Sequence, residues 1–123
     1  MYQQDWIMRQ IEMIGKMLAY LLFRKRTTEH ETYQEEKDSG DMDMLHRLLV
    51  EMTDAGKVNE AENLLFQRMA KENLYYLKLA IDFYGRLNRL SDQRLEECCF
   101  SRTEIAEGLK DAAAFYGVDI PWE

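Results

Sequence analysis

Apolar residues recur every three or four positions through most of the chain, and each run ends at a recognisable stop. From a plausible N-cap at Asp5, Ile7, Ile11, Ile14, Leu18, Leu21 and Leu22 fall at helical spacing, with Trp6, Met13, Met17 and Tyr20 widening the stripe. The pattern predicts an N-terminal helix over 5–24, about 30 Å long at 1.5 Å per residue. It is followed by "RTTEHETYQEEKDSGD", in which apolar residues nearly vanish and acidic ones dominate. With so little to bury, the stretch cannot offset its ordering entropy, and a mobile acidic loop is expected over 27–40.

Helical patterning resumes over 41–117. Asp41 or Asp43 is the expected cap of a second helix, with Leu45, Leu48, Leu49 and Met52 as its buried stripe and Gly56 as its left-handed stop. In "GKVNEAENLLF" the next helix starts almost at once. Val58 lies just before it, Asn59 is the expected N-cap, and Glu62 three residues on completes an approximate capping box. Ala61, Leu64, Leu65 and Met69 face inward. So short a turn makes the two helices antiparallel neighbours. A fourth helix from about Leu74 to Asn88 carries two apolar lines, one of Leu77, Ile81 and Tyr84 and one of Tyr76, Ala80, Phe83 and Leu87. Two lines imply contact on two sides. Ser91 and Asp92 restart a short helix through Glu97. Ser101 and Glu104 form a capping box for the last helix, whose stripe of Ile105, Leu109, Ala112, Ala113 and Tyr116 ends at Gly117. The tail over 118–123 is too short for an element of its own, and Ile120 and Trp122 are expected to tuck back onto the core. The expectation is a single all-α domain over 1–123, built of antiparallel helical hairpins.

Composition agrees with this. Hydrophobic residues make up 46% and charged residues 32%, well away from disordered chains, and one proline in 123 residues leaves long uninterrupted helical stretches. A formal charge of −7 opposes phosphate backbones and excludes general nucleic-acid binding; the one basic cluster is Arg24, Lys25 and Arg26. Cys98 and Cys99 are adjacent, which fits neither a disulfide framework nor the paired ligands of a zinc site, so both are expected to be packing residues in a reducing compartment. No signal-peptide pattern opens the chain, and the longest apolar run, Met17 to Phe23, is too short to span a bilayer; a cytoplasmic protein is expected.

The chemistry-bearing residues are few and poorly grouped. His30 falls in the expected loop and His46 on the rim of the second helix. Asp43 and His46 have the spacing of two ligands on one helix face, but a bundle metal site needs a second such pair. Glu60 and Glu62, two apart on a helix, point in different directions. Glu96 and Glu97 would disfavour a thiolate at the cysteines beside them. No phosphate-cradling glycine loop and no hydrolase or metalloprotease motif occurs. No catalytic residue, cofactor or metal ligand is therefore assigned. Surface recognition is the alternative, with Trp6, Met13, Tyr20 and Tyr75 as candidate interface residues. The wide stripe of the first helix, followed by "RKR", suits docking within the bundle, a homodimer seam, or contact with an acidic membrane; Asp5 and Glu12 weaken the last of these.

The residues Gly56, Lys57, Val58, Asn59, Glu60 and Ala61 resemble the turn between the two helices of a tetratricopeptide repeat, where a small alanine lets the helix backbones approach. Leu49 stands where that repeat has glycine, and one repeat length on, about 34 residues, Leu90 and Ser91 lack the glycine too. The resemblance covers about one repeat. A longer one runs nearly end to end: "DWIMRQIEMIGKMLAYLLF", "GKVNEAENLLF" and "FSRTEIAEGLKDAAAFYG" together resemble a family of short bacterial helical proteins known only as domain of unknown function 6483. That resemblance implies a cytoplasmic all-helical protein and carries over no catalytic residue. Together the observations lead to the expectation of a non-enzymatic interaction module that binds a protein or peptide partner, with a homodimer or a membrane-surface protein as alternatives.

Overall fold

A computed structural model describes the backbone over 2–29 and 32–118, and side chains over 5–24, at 40 and over 43–118. Six helices fill the described residues: α1 (Tyr2–Glu29), α2 (Thr32–Asp54), α3 (Val58–Arg68), α4 (Tyr75–Asn88), α5 (Asp92–Glu97) and α6 (Arg102–Phe115). No strand occurs among them. α4 lies at the centre. α1 and α6 pack on it and on each other, and the α2–α3 hairpin packs against it as well. The two apolar lines of α4 thus both find neighbours, and Leu77, Leu79, Ala80, Phe83, Tyr84 and Leu87 are all buried.

The expected acidic loop is replaced by helix. α1 continues to Glu29 and α2 begins at Thr32, which places positions 41 and 43 inside α2 and not at its cap. Few apolar residues occur here, but the stretch carries four glutamates with one glutamine and one lysine, has no proline, and has glycine only at position 40. Such residues hold a helix by intrinsic propensity without a buried face. His30 lies outside the described residues, as do Ile120 and Trp122 of the tail. Asp5 belongs to the first turn of α1, where its carboxylate faces the positive end of the helix, and the helix itself starts three residues earlier.

Three helices end in the same hydrogen-bonded device. After α2, the Gly56 amide donates to the Thr53 carbonyl and the Lys57 amide to that of Met52; after α6, Gly117 donates to Ala114 and Val118 to Ala113. After α5, Cys99 donates to Glu96 and Phe100 to Leu95. This is the Schellman arrangement, which needs a left-handed residue, and φ is +83° at Gly56, +80° at Gly117 and +55° at Cys99. Of the two cysteines only Cys98 is a packing residue. Cys99 is exposed and occupies a position where its Cβ is unfavourable. The starts of α5 and α6 follow the sequence signals: Ser91 accepts from the Arg94 amide, and Ser101 and Glu104 form the reciprocal box. The start of α3 does not. Val58 is its first residue and fully buried, and Lys57 at the N-cap makes no side-chain bond. Asn59 instead donates from Nδ2 to the Cys99 carbonyl at 3.3 Å, tying α3 to the end of α5.

Candidate interaction surface

α1 has more apolar surface than the bundle uses. Ile11, Ile14, Leu18 and Leu22 are buried against α4 and α6. At about 2 kcal/mol each they contribute on the order of 8 kcal/mol as an upper bound, enough to hold the helix in place. Trp6, Met13, Met17 and Tyr20 do not widen this row. At 3.6 residues per turn they lie about 130° around the helix from it, and they are 49%, 60%, 40% and 60% exposed. Phe23 beside them is exposed too. They form a second row about 25 Å long. Its flanks carry the exposed charges of Asp5, Arg9, Glu12, Lys16 and Arg24, and the Arg24 guanidinium lies 5.9 Å from the centre of the Tyr20 ring.

Other surfaces are smaller or already covered. Tyr75, a candidate interface residue, is half-buried against the core, and the Lys78 ammonium sits 5.2 Å from its ring centre. On α2, Leu45 and Leu49 are buried while Met44 and Leu48 are exposed. Met44, Leu45 and Leu48 line an open depression of about 480 Å³ together with Arg68 and Tyr76. An apolar groove of about 290 Å³ runs between the C-terminal half of α1 and the start of α4, lined by Leu18, Leu22, Leu74, Leu77, Tyr116 and Val118. The Tyr116 hydroxyl lies 2.9 Å from the carbonyls of both Ala70 and Asn73, fastening the end of α6 to the α3–α4 connection.

The polar groups that sequence reasoning weighed for chemistry are engaged in structural bonds. His46 Nε2 is 2.9 Å from Asp82 Oδ2, which also accepts from Arg86 Nε at 2.9 Å, so His46 joins α2 to α4 at the rim. Burial alone would raise the Asp82 carboxyl, but the hydrogen bonds and charges of Arg86 and His46 outweigh it and hold it below the usual carboxylate range. The neighbouring hydroxyl, that of Thr53, donates to the Leu49 carbonyl. Glu62 does not cap α3, since its carboxylate accepts a hydrogen bond from the fully buried Tyr84 hydroxyl. Burial pushes the Glu62 carboxyl up, the Tyr84 bond opposes this, and the charges of Glu104 and Asp111 add to it. Burial and the same carboxylate push the Tyr84 hydroxyl up as well. Among the described residues no three His, Cys, Asp or Glu side chains gather into a group that would hold a metal ion.

Arg102 went unread in the sequence because "FSRTE" is explained by the capping box alone. Its side chain is 5% exposed. It donates to the carbonyls of Asn88 and Leu90 at 2.8 Å each, to Asn88 Oδ1 at 3.2 Å and to Asp92 Oδ1 at 2.9 Å. Asn88 in turn donates from Nδ2 to the Met8 carbonyl at 3.2 Å. One guanidinium thus closes the last turn of α4 and links it to α1 and α6. An arginine at the second position of a capping box, followed by an apolar helix face, is the only signal that pointed there.

No helix among the described residues is long and apolar enough to cross a membrane. No curated protein and no solved structure matches the chain. The sequence model of one family does, over residues 1–117. The chain, whose described residues form helices and no strand as that resemblance implied, therefore belongs to the family of unknown function DUF6483.

Proposed function

We propose that this protein is a non-enzymatic helical module that binds another protein through the outer face of α1. The observation that carries the reading is the second apolar row, in which five large side chains stay 40–66% exposed along one face. Their summed exposed area is on the order of 600 Å², at the upper end of the largest apolar patch of a typical monomer. Aromatic and methionine side chains with a charged rim are the composition of an interface core. The engagement of His46, Glu62 and Arg102 in bonds that hold helices together supports the non-enzymatic half of the reading. Contact with an acidic lipid surface is the rival use of the same row, favoured by Lys16 and Arg24 and opposed by Asp5 and Glu12.

The test is photo-cross-linking in the native cell. A benzophenone amino acid at position 13 or 20 is expected to give protein adducts, and one at the exposed position Glu107 of α6 is not. Adducts to lipid alone, or none from either position, would refute the reading.

A further inference from the structure

Resting on that reading, we infer that the partner of the α1 outer row is a second copy of the same chain, docked antiparallel across a two-fold axis near Gly15. The spacing of the row points to a helical mate. Trp6, Met13 and Tyr20 are seven apart, and Gln10, Met17 and Arg24, also seven apart, fall four after each in turn. This is the a/d seam of a two-helix coiled coil, and here it lies on a helix whose opposite face is already packed. In an antiparallel pair each d position meets an a position of the other helix. Met13 then meets Met17 of the second copy at the centre, Tyr20 meets Gln10, and Trp6 meets Arg24. The last contact sets a guanidinium on an indole face, the most favourable aromatic surface for a cation.

Charge decides the direction. The N-terminal half of α1 carries Asp5, Arg9 and Glu12, a net charge of −1, and the C-terminal half carries Lys16, the run Arg24, Lys25, Arg26, and Glu29, a net charge of +3. A parallel pair would set Arg24 on Arg24 and Asp5 on Asp5 along its length. The antiparallel pair sets the basic end of each helix on the acidic end of the other and opposes the two helix dipoles, which outweighs the approach of the two Lys16 side chains at the axis. Area is sufficient as well. The four exposed apolar residues of the seam on two copies remove up to about 1,000 Å² from water, and Phe23 and Arg24 at its edge bring the total to where stable interfaces begin. Because the row is convex and solvent-facing, the pairing requires no rearrangement of the bundle.

The experiment uses the whole chain. Sedimentation equilibrium should show a monomer–dimer equilibrium with a dissociation constant of about micromolar order. Met13→Glu sets two carboxylates into the seam and should weaken the dimer by about 100-fold or more. Because position 13 is exposed, its circular dichroism and melting curve should match those of the unaltered protein measured as a monomer. Direction is read by disulfide trapping in a Cys99→Ser background: Trp6→Cys mixed with Arg24→Cys should cross-link, and Trp6→Cys alone should not. A chain that stays monomeric at about 100 µM, or that floats with phosphatidylglycerol vesicles as a monomer, overturns the inference; so does Trp6→Cys linking to itself in preference. A monomer whose position 13 still cross-links to a different protein in the cell overturns self-pairing and leaves the broader reading standing.

Discussion

Replacing Gly108 by alanine should destabilise the protein, although alanine is the better helix former. Gly108 lies in the middle of α6, where exchange of glycine for alanine ordinarily gains about 1 kcal/mol. A Cβ built there falls inside the van der Waals radii of Tyr84 Cζ, Oη and Cε1. The ring has little freedom to withdraw. Tyr84 is 0% exposed, stands edge-on to Phe83 at 5.0 Å and 68°, and is held at its hydroxyl by Glu62. Overpacking of this kind costs about 1–3 kcal/mol. Pulling the hydroxyl off a charged acceptor costs up to about 2 more, discounted because Glu62 is half exposed. Net of the helix gain, Gly108→Ala should lose about 2 kcal/mol, or roughly 8 °C in melting temperature for a chain of this size.

The assay is urea unfolding with linear extrapolation, and the control is a second glycine. Gly15 is also inside a helix, but nothing lies within 4 Å of its would-be Cβ. Gly15→Ala should therefore stabilise by about 1 kcal/mol. A cycle with Tyr84→Leu, run in sucrose to keep the weakened variant folded, isolates the contact: once the ring is gone, Gly108→Ala should turn from costly to neutral or favourable, a coupling of about 3 kcal/mol. If Gly108→Ala proves as stable as the parent, or costs the same with leucine at position 84, the close approach of α6 to Tyr84 is not what fixes that glycine.

Arg102→Met should cost about 3 kcal/mol in the same assay, mainly by leaving the Asn88 and Leu90 carbonyls unpaired, with little from the exposed Asp92; Arg102→Lys should not rescue it, because an ammonium does not reach all three elements. Cys99→Gly should gain about 1 kcal/mol by relieving the left-handed residue of the α5 stop, seen as a rise in melting temperature. Two carboxylates should show opposite pH dependence in urea titrations from neutral to acid pH. The Glu62 carboxyl is raised in the fold, so its contribution is complete below the unfolded value of 4.5 and lost as pH rises through its folded value; the stability of Glu62→Gln relative to the parent should therefore improve with rising pH. Asp82 is lowered, so its contribution is present above 3.8 and lost as pH falls through its folded value; Asp82→Asn should be the less stable protein at neutral pH and should converge on the parent in acid.

Periodicity made the helices legible wherever a buried stripe and a stop coincide. α4 and α6 run as expected because their faces are apolar, and the ends of α6 carry Ser101 with Glu104 and Gly117. It failed at the described residues of 27–40 because burial is not the only source of order, and glutamates in a stretch without proline sustain a helix locally. It also misassigned Glu62. Spacing from Asn59 suggested a capping partner, but the carboxylate is 22 residues in sequence from the tyrosine it binds, and nothing local encodes such a pairing. The same holds for Arg102, whose acceptors are brought to it only when α4, α5 and α6 close into a corner.

α1 shows where function separates from fold in such a reading. Trp6, Met13, Met17 and Tyr20 count in sequence as the edge of one broad apolar face, because on a helical projection they adjoin Ile14 and Leu21. The bundle is narrower than the stripe. α4 and α6 together cover only the side of α1 that holds Ile11, Ile14, Leu18 and Leu22. The first row supplies the buried apolar contact that holds α1 in the bundle, while the second leaves much of its apolar surface in water. Large apolar side chains left facing water lower solubility, and their heptad spacing and the split of acid and base along α1 are of no use to a helix that meets only its own bundle. Both features acquire a purpose if another surface closes over the row. The Met13→Glu variant separates the two energies directly: the helix should keep its stability in the bundle while losing its partner.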